Sequence, residues 1–152
     1  MRLTDLSEDD ARAIARWRYP APYDCYDSPP WEQMEREGWA LCDDDTRRSQ
    51  FRALRPEDAE ELAGYVRFRP AGDSLALHLG LRPDLCGQGL GRAFLDIALP
   101  EARRRADGRP VTLQVRRFNA RAIAAYRRAG FRMVDDPSGA GDPQERLAML
   151  LT

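Results

Sequence analysis

The sequence predicts a mixed α/β sheet, and three observations carry that reading. Strand pairs joined by polar turns fill much of the first half. A glycine-rich loop then separates a strand from a helix, and strand and helix patterns alternate in the order β-α-β-α-β-β to the end. At 152 residues the chain can bury its own core without disulfides or metal staples, so a single domain over 1–152 is expected.

The elements follow in order. "RLTDL" reads as a short first strand. Ser7 with Asp10 three residues on resembles a capping box, opening a helix to about Arg18. "YPAPYDCYDSPP" ends that helix, with four prolines in twelve residues. Ser28, Pro29 and Pro30 start a second short helix that stops before Gly38. "WALC" and "FRAL" read as strands joined by the polar turn "DDDTRRSQ", and "RPEDAEE" as an insertion with room for one helical turn. "LAGYVRF" and "SLALHLGL" are strands either side of the hairpin turn "RPAGD". From Gly91 to about Arg105, Phe94, Leu95, Ala98 and Ala102 recur at helical spacing, and Pro100 inside the run predicts a kink or an early end. "PVTLQVRRF" alternates, with Val111, Leu113 and Val115 on one face. Asn119 then caps a helix that Gly130 ends. "FRMVDD" and "ERLAML" are the last strands, around the loop "PSGAGDPQ".

Composition narrows the function classes. Charged residues make up 32% and hydrophobic ones 43%, no apolar run is long enough for a bilayer, and the N-terminus is acidic, so a cytoplasmic protein with no membrane partner is expected. Cys25, Cys42 and Cys86 are odd in number and lack metal-ligand spacing, and His78 is the only histidine; no metal is expected, and a reducing compartment is. All 24 basic residues are arginine. Between 103 and 132 ten of them face one acid, a balance of +9 that leaves −10 elsewhere. Arginine's planar fork suits phosphate. No aromatic stripe interleaves these arginines, which argues against nucleic acid.

The stretch "LCGQGLGRAF", residues 85–94, sets three glycines at the mouth of a helix, although each costs about 1 kcal/mol there relative to alanine. A strand–loop–helix unit presents unpartnered N–H groups and the positive end of the helix dipole at the strand's carboxyl end. Glycines let an anion approach that backbone, which makes a phosphate cradle. A Walker loop needs a lysine, which this chain lacks. A dinucleotide fingerprint needs its first glycine directly after the strand, where "RPDLC" intervenes.

"LGLRPDLCGQGLGRAFL" resembles the acyl-CoA-binding motif of the GNAT superfamily of N-acetyltransferases, Gln/Arg-x-x-Gly-x-Gly/Ala. "LQVRRFNARAIAAYRRAGF" resembles that family's second signature, an asparagine with a tyrosine seven residues on and then Gly-Phe. The two cover about residues 75–131 in the family's order. Cys86 stands where the family has Gln or Arg.

The resemblance implies a mixed, mostly antiparallel central sheet with helices on both faces and a splayed parallel strand pair. It implies acetyl-CoA as cosubstrate and an amine-bearing small molecule or peptide as acceptor. Backbone groups of Leu79, Gly80 and Leu81 would run beside the pantetheine. Those of Gly87, Gln88, Gly89, Leu90, Gly91 and Arg92 would hold the pyrophosphate, and Asn119 would meet the pantetheine or cap the helix beneath it. Tyr126 would sit beside the sulfur and protonate the departing thiolate, while the Leu79 N–H would donate to the oxyanion. A lysine-like acceptor has a pKa near 10, so under about one in a thousand is neutral at pH 7. A base or a desolvating site must supply the rest, and His78 is the candidate base.

Residues 17–39 hold all three tryptophans, three of the five tyrosines, and Asp24, Asp27, Glu32, Glu35 and Glu37. Two readings stand side by side: an amine site with Asp27, Trp31 and Glu32 as contacts, or an aromatic mini-core pinning a proline-rich loop. Rival functions are a CoA-binding module without turnover and, last, an arginine-rich nucleic-acid binder. A monomer and a homodimer both fit.

Overall fold

The computed structural model describes residues 1–134 and 146–152. Seven strands, β1 (Arg2–Asp5), β2 (Phe51–Arg55), β3 (Gly64–Ala71), β4 (Ser74–Leu81), β5 (Val111–Arg116), β6 (Arg132–Val134) and β7 (Arg146–Leu151), form one open sheet in the order β1-β2-β3-β4-β5-β7-β6. The helices are α1 (Glu8–Arg16), α2 (Trp31–Glu37), α3 (Asp44–Gln50), α4 (Leu90–Ala106) and α5 (Ala120–Arg128). β1–β2, β5–β7 and β7–β6 pair antiparallel. β4 and β5 are the parallel pair, and their ladder joins Leu75 to Val111 and Ala76 to Thr112 at the start of both strands. The predicted mixed sheet with a splayed parallel pair is therefore present. The chain folds as two compact units: Met1–Val66 with Leu79–Gln88, and Arg67–His78 with Gly89–Thr152.

In the first unit, the predicted capping box opens α1. The Ser7 hydroxyl accepts the Asp10 N–H at 3.1 Å, and the Asp10 carboxylate accepts the Ser7 N–H at 3.0 Å. Ala11, Ile14 and Ala15 bury one face of α1 against Trp31 and Met34 of α2, Leu41, and Phe51 and Ala53 of β2. Gly38, at φ 74°, ends α2 in the left-handed conformation expected of a C-terminal glycine.

Two expectations fail here for identifiable reasons. "WALC" is no strand: Ala40–Cys42 is a 3₁₀ turn, and the polar stretch after it is helix α3. Asp43 caps α3 by accepting both the N–H and the hydroxyl of Thr46, with acids in its first turn and arginines in its last, as the helix dipole favours. Arg47 is buried and donates to the Leu41 carbonyl at 3.0 Å and to the Asp44 carboxylate, so this polar helix is locked to the core by a side chain. "RPEDAEE" forms a turn, not a helical turn. Its carbonyls are taken by guanidiniums instead: Arg2 reaches those of Pro56 and Ala59, and Arg55 that of Glu60.

In the second unit, β3 runs on through Pro70 to Ala71, so the hairpin turn shrinks to Gly72 and Asp73, with Gly72 at φ 62°. α4 neither stops nor breaks at Pro100. The proline is exposed, whereas Ala98, Leu99, Ala102 and Ala106 are buried on both sides of it, and that packing outweighs one missing hydrogen bond. Val111, Leu113 and Val115 of β5 are buried as their alternation predicts. The loop "PSGAGDPQ" lies outside the described residues. Among the described residues no helix is long and apolar enough to cross a membrane, no group of His, Cys, Asp and Glu is arranged to hold a metal ion, and none of the three cysteines is in a disulfide.

Candidate active site

In the first unit the carboxyl end of β4 is held by neighbours the sequence does not advertise. A Cβ on Gly80 would lie 2.4 Å from the Tyr65 ring, so glycine there admits an aromatic ring against the strand. Tyr65 in turn packs on Trp17 and Phe51 at centroid distances of 6.1 and 6.3 Å. The Tyr19 hydroxyl donates to the Leu81 carbonyl at 2.7 Å, and the Tyr19 N–H donates to Asp27 at 2.9 Å. Burial, followed by Tyr65, Cys86 and Asp27, pushes the Tyr19 phenol pKa well up, so it remains a proton donor.

The loop leaving β4 is equally restrained. Arg82 donates its N–H to Ala63, one guanidinium N–H to Leu62, and two more to Asp84 at 2.6 and 3.1 Å. The Gln88 amide reaches back to the Asp84 carbonyl at 2.7 Å. The Cys86 thiol lies 3.7 and 3.9 Å from the carbonyls of Arg82 and Leu81, folded onto the loop's own backbone.

Gly87 and Gly89 then take φ of 78° and 77°. Gly89 is the N-cap of α4, and no side chain caps that helix, nor does an acid stand in its first turn. A Cβ on Gly89 would meet no atom of the described residues within 4 Å. Among the described residues, the amides that open α4 thus have no side-chain cap, and the first turn holds no acid, which is the arrangement that receives an anion. Arg92, exposed one turn on, pairs loosely with Asp96 at 3.5 Å.

In the second unit, a Cβ on Gly91 would lie 3.8 Å from the Ala125 Cβ, so α4 starts against α5. Asn119 caps α5 by accepting the Ala122 N–H at 3.2 Å. Tyr126 is half-buried and stands edge-on to the buried Phe131, with centroids 5.8 Å apart. No residue of α5 is fully buried.

His78 has an exposed edge, yet the packing around it and the guanidiniums of Arg67, Arg69 and Arg146 lower its pKa from 6.5 to about 4. It is neutral at pH 7 and a weak proton acceptor.

The acceptor candidates separate. Asp27 is joined through Tyr19 to Leu81. Glu32 is exposed in the first turn of α2. Trp31 is a core residue: it is buried, its indole N–H donates to Glu35 at 3.0 Å, and the Arg12 guanidinium covers its ring at 4.5 Å. Its burial, the Arg12 guanidinium on its ring and the Glu35 acceptor on its N–H favour the mini-core reading for Trp31. Tyr19, Tyr65 and Arg82 were missed from sequence. Only the density of aromatic residues around Tyr19 hinted at one of them.

The chain resembles the ribosomal-protein-S18-alanine N-acetyltransferase from Escherichia coli at 25% identity and TM-score 0.63, covering 98% of this chain and 91% of that one. It resembles the PaiA N-acetyltransferase from Thermoplasma acidophilum, solved in complex with coenzyme A, at 18% identity and TM-score 0.65, over 97% and 96% of the two chains. A variant of the spermidine N-acetyltransferase from Vibrio cholerae matches at 22% identity and TM-score 0.65, over 99% and 94%. No curated protein matches by sequence. The model of the acetyltransferase (GNAT) family matches residues 11–131, which take in the glycine loop, Asn119 and Tyr126, and the chain accordingly belongs to that family.

Proposed function

We propose that the chain is an acetyl-CoA-dependent N-acetyltransferase acting on a primary amine of a small molecule or peptide by direct attack in a ternary complex. The observation that carries this reading is the uncapped start of α4 behind two left-handed glycines, within a GNAT family match. Those residues fit a diphosphate, since Gly89 presents backbone with open space where a Cβ would stand. We read the two units as halves of one catalytic domain, because the family match takes in segments of both.

When bound, acetyl-CoA supplies an activated acetyl thioester. The amides from Gly87 to Arg92 hold its diphosphate, and the backbone of Leu79, Gly80 and Leu81 runs beside its pantetheine. The Leu79 N–H is assigned to the acyl oxygen, where charge develops. The Tyr126 hydroxyl is assigned as proton donor to the departing sulfur. The Asn119 side-chain oxygen caps α5, the helix that carries Tyr126, and Asn119 keeps its assignment to the pantetheine. His78 is left without a base role, because a group titrating at about 4 is poorly matched to an amine near pKa 10. Asp27 and Glu32 remain the acidic residues offered to a cationic acceptor. Three cysteines outside any disulfide fit a reducing, cytoplasmic setting.

The test is an amine panel that follows thiol release from acetyl-CoA, beside a calorimetric titration of the cosubstrate. Saturable uptake with amine-dependent turnover is expected. No heat of binding sinks the reading, and uptake without turnover on any amine leaves a binding module in its place.

A further inference from the structure

We infer that Tyr19 is a positioning residue, tying the acidic, aromatic segment after α1 to the carboxyl end of β4 through its hydroxyl and its main-chain amide. This rests on the proposed function, which makes that segment the acceptor side and β4 the cosubstrate side.

Three observations support it. The hydroxyl of Tyr19 and the carbonyl of Leu81 meet at 2.7 Å although they are 62 residues apart in sequence. The same residue's N–H is held by the Asp27 carboxylate at 2.9 Å, so two hydrogen bonds in series run from Asp27 to β4. The Tyr19 ring also takes Tyr26 edge-on at a centroid distance of 6.3 Å, which brings a second aromatic of the segment onto the same post. Between α1 and α2 this segment holds one short 3₁₀ turn, Tyr23–Tyr26, and four prolines, so regular backbone pairing does little to place it. A side-chain tether sets its geometry instead. The tether ends on Leu81, one residue before Arg82, whose own contacts anchor the loop that leads to Gly87. Burial keeps the phenol protonated across the working pH range, so the donor is always present. In this arrangement Asp27 acts through Tyr19 with the oxygen that binds its amide, whatever its second oxygen does.

The decisive variant is Tyr19→Phe, which keeps the ring and removes only the donor; Asp27→Ala, which removes the acceptor of the Tyr19 N–H, and the double variant complete a cycle. With an amine that the wild type acetylates, Tyr19→Phe is expected to raise the acceptor KM about fivefold, the size of one neutral hydrogen bond, with the acetyl-CoA KM and kcat little changed. The double variant is expected to be no worse than the poorer single one. Hydrogen exchange on the unliganded protein is expected to quicken across 19–29 and across 82–86, and not in α5. An unchanged acceptor KM overturns the inference, and so does an equal rise in both KM values with a lower Tm, which marks a merely structural contact. A wild type that acetylates no amine sinks the proposed function instead, before any variant is made. The exchange experiment then decides alone: unchanged protection across 19–29 overturns the tether, and quickened exchange in both segments upholds it.

Discussion

α1 and α4 begin in opposite ways. At Ser7 two side chains close two orphan amides reciprocally, and three acids fill the first turn of α1. At Gly89 no side chain caps the helix, no acid follows, and the cap residue is a left-handed glycine. The difference follows the means by which each helix is stabilised. α1 has nine residues and buries three, so a cap worth about 1 kcal/mol matters to it. α4 has seventeen and buries six, enough packing to stand without a cap and to run through Pro100. A helix held by its flank can leave its first amides for a ligand.

Four experiments break or sharpen that contrast. The largest effect is expected from Gly89→Asp, which places a carboxylate where the diphosphate is proposed to lie. Loss of charge-assisted hydrogen bonds plus like-charge repulsion raises the acetyl-CoA Kd by about a hundredfold or more. Any side chain is strained at φ 77°, but Asp tolerates the left-handed backbone better than most residues and meets open space there, so a Tm drop of only a few degrees is expected. Unaltered affinity in a folded Gly89→Asp protein removes α4 from the site.

Next comes Tyr126→Phe, expected to lower kcat about a hundredfold, at the low end for a lost general acid, with acetyl-CoA affinity retained. An equal loss of cosubstrate binding makes Tyr126 a packing residue instead.

Ser7→Ala is the converse of the first variant. It is expected to cost about 1 kcal/mol of stability, a Tm drop of roughly 3 °C, with acetyl-CoA affinity untouched. Thermal melts and calorimetry on the pair tell whether capping and binding are separable.

The smallest effect concerns His78, whose exposure to water screens much of its shift. Its pKa is 6.5 when unfolded and about 4 when folded, so between those values the unfolded chain binds the extra proton. Its contribution is complete above pH 6.5 and declines as pH falls toward 4. Urea melts at pH 7 and pH 5 should therefore differ less in His78→Gln than in wild type, while the pH–rate profiles of the two proteins coincide. A lost rate limb in His78→Gln restores the histidine as a base.

Legibility in the sequence tracked distance along the chain. The caps at Ser7 and Asn119, the stops at Gly38 and Gly130 and the burial rhythm of β5 involve partners within a few residues, and pattern reading found them. α3 is the local miss. Its Asp43–Thr46 cap and its acid-to-base order were visible, but with hardly an apolar residue in it no hydrophobic period called for a helix. The glycine loop and the Tyr126 frame stood out because the chemistry proposed for them uses backbone geometry and fixed spacing.

The sequence alone determined the mixed sheet, most of the helix ends, the placement of the glycines before α4 and the family's two motifs, since each depends on residue types a few positions apart. Tertiary structure alone decided that α4 passes Pro100, that Gly80 lies under the Tyr65 ring, that Trp31 belongs to the core, that three arginines from β3 and β7 surround His78, and that Tyr19 reaches Leu81. Those outcomes turn on which distant groups meet in space. Desolvation and packing act through space, and residue spacing does not encode them.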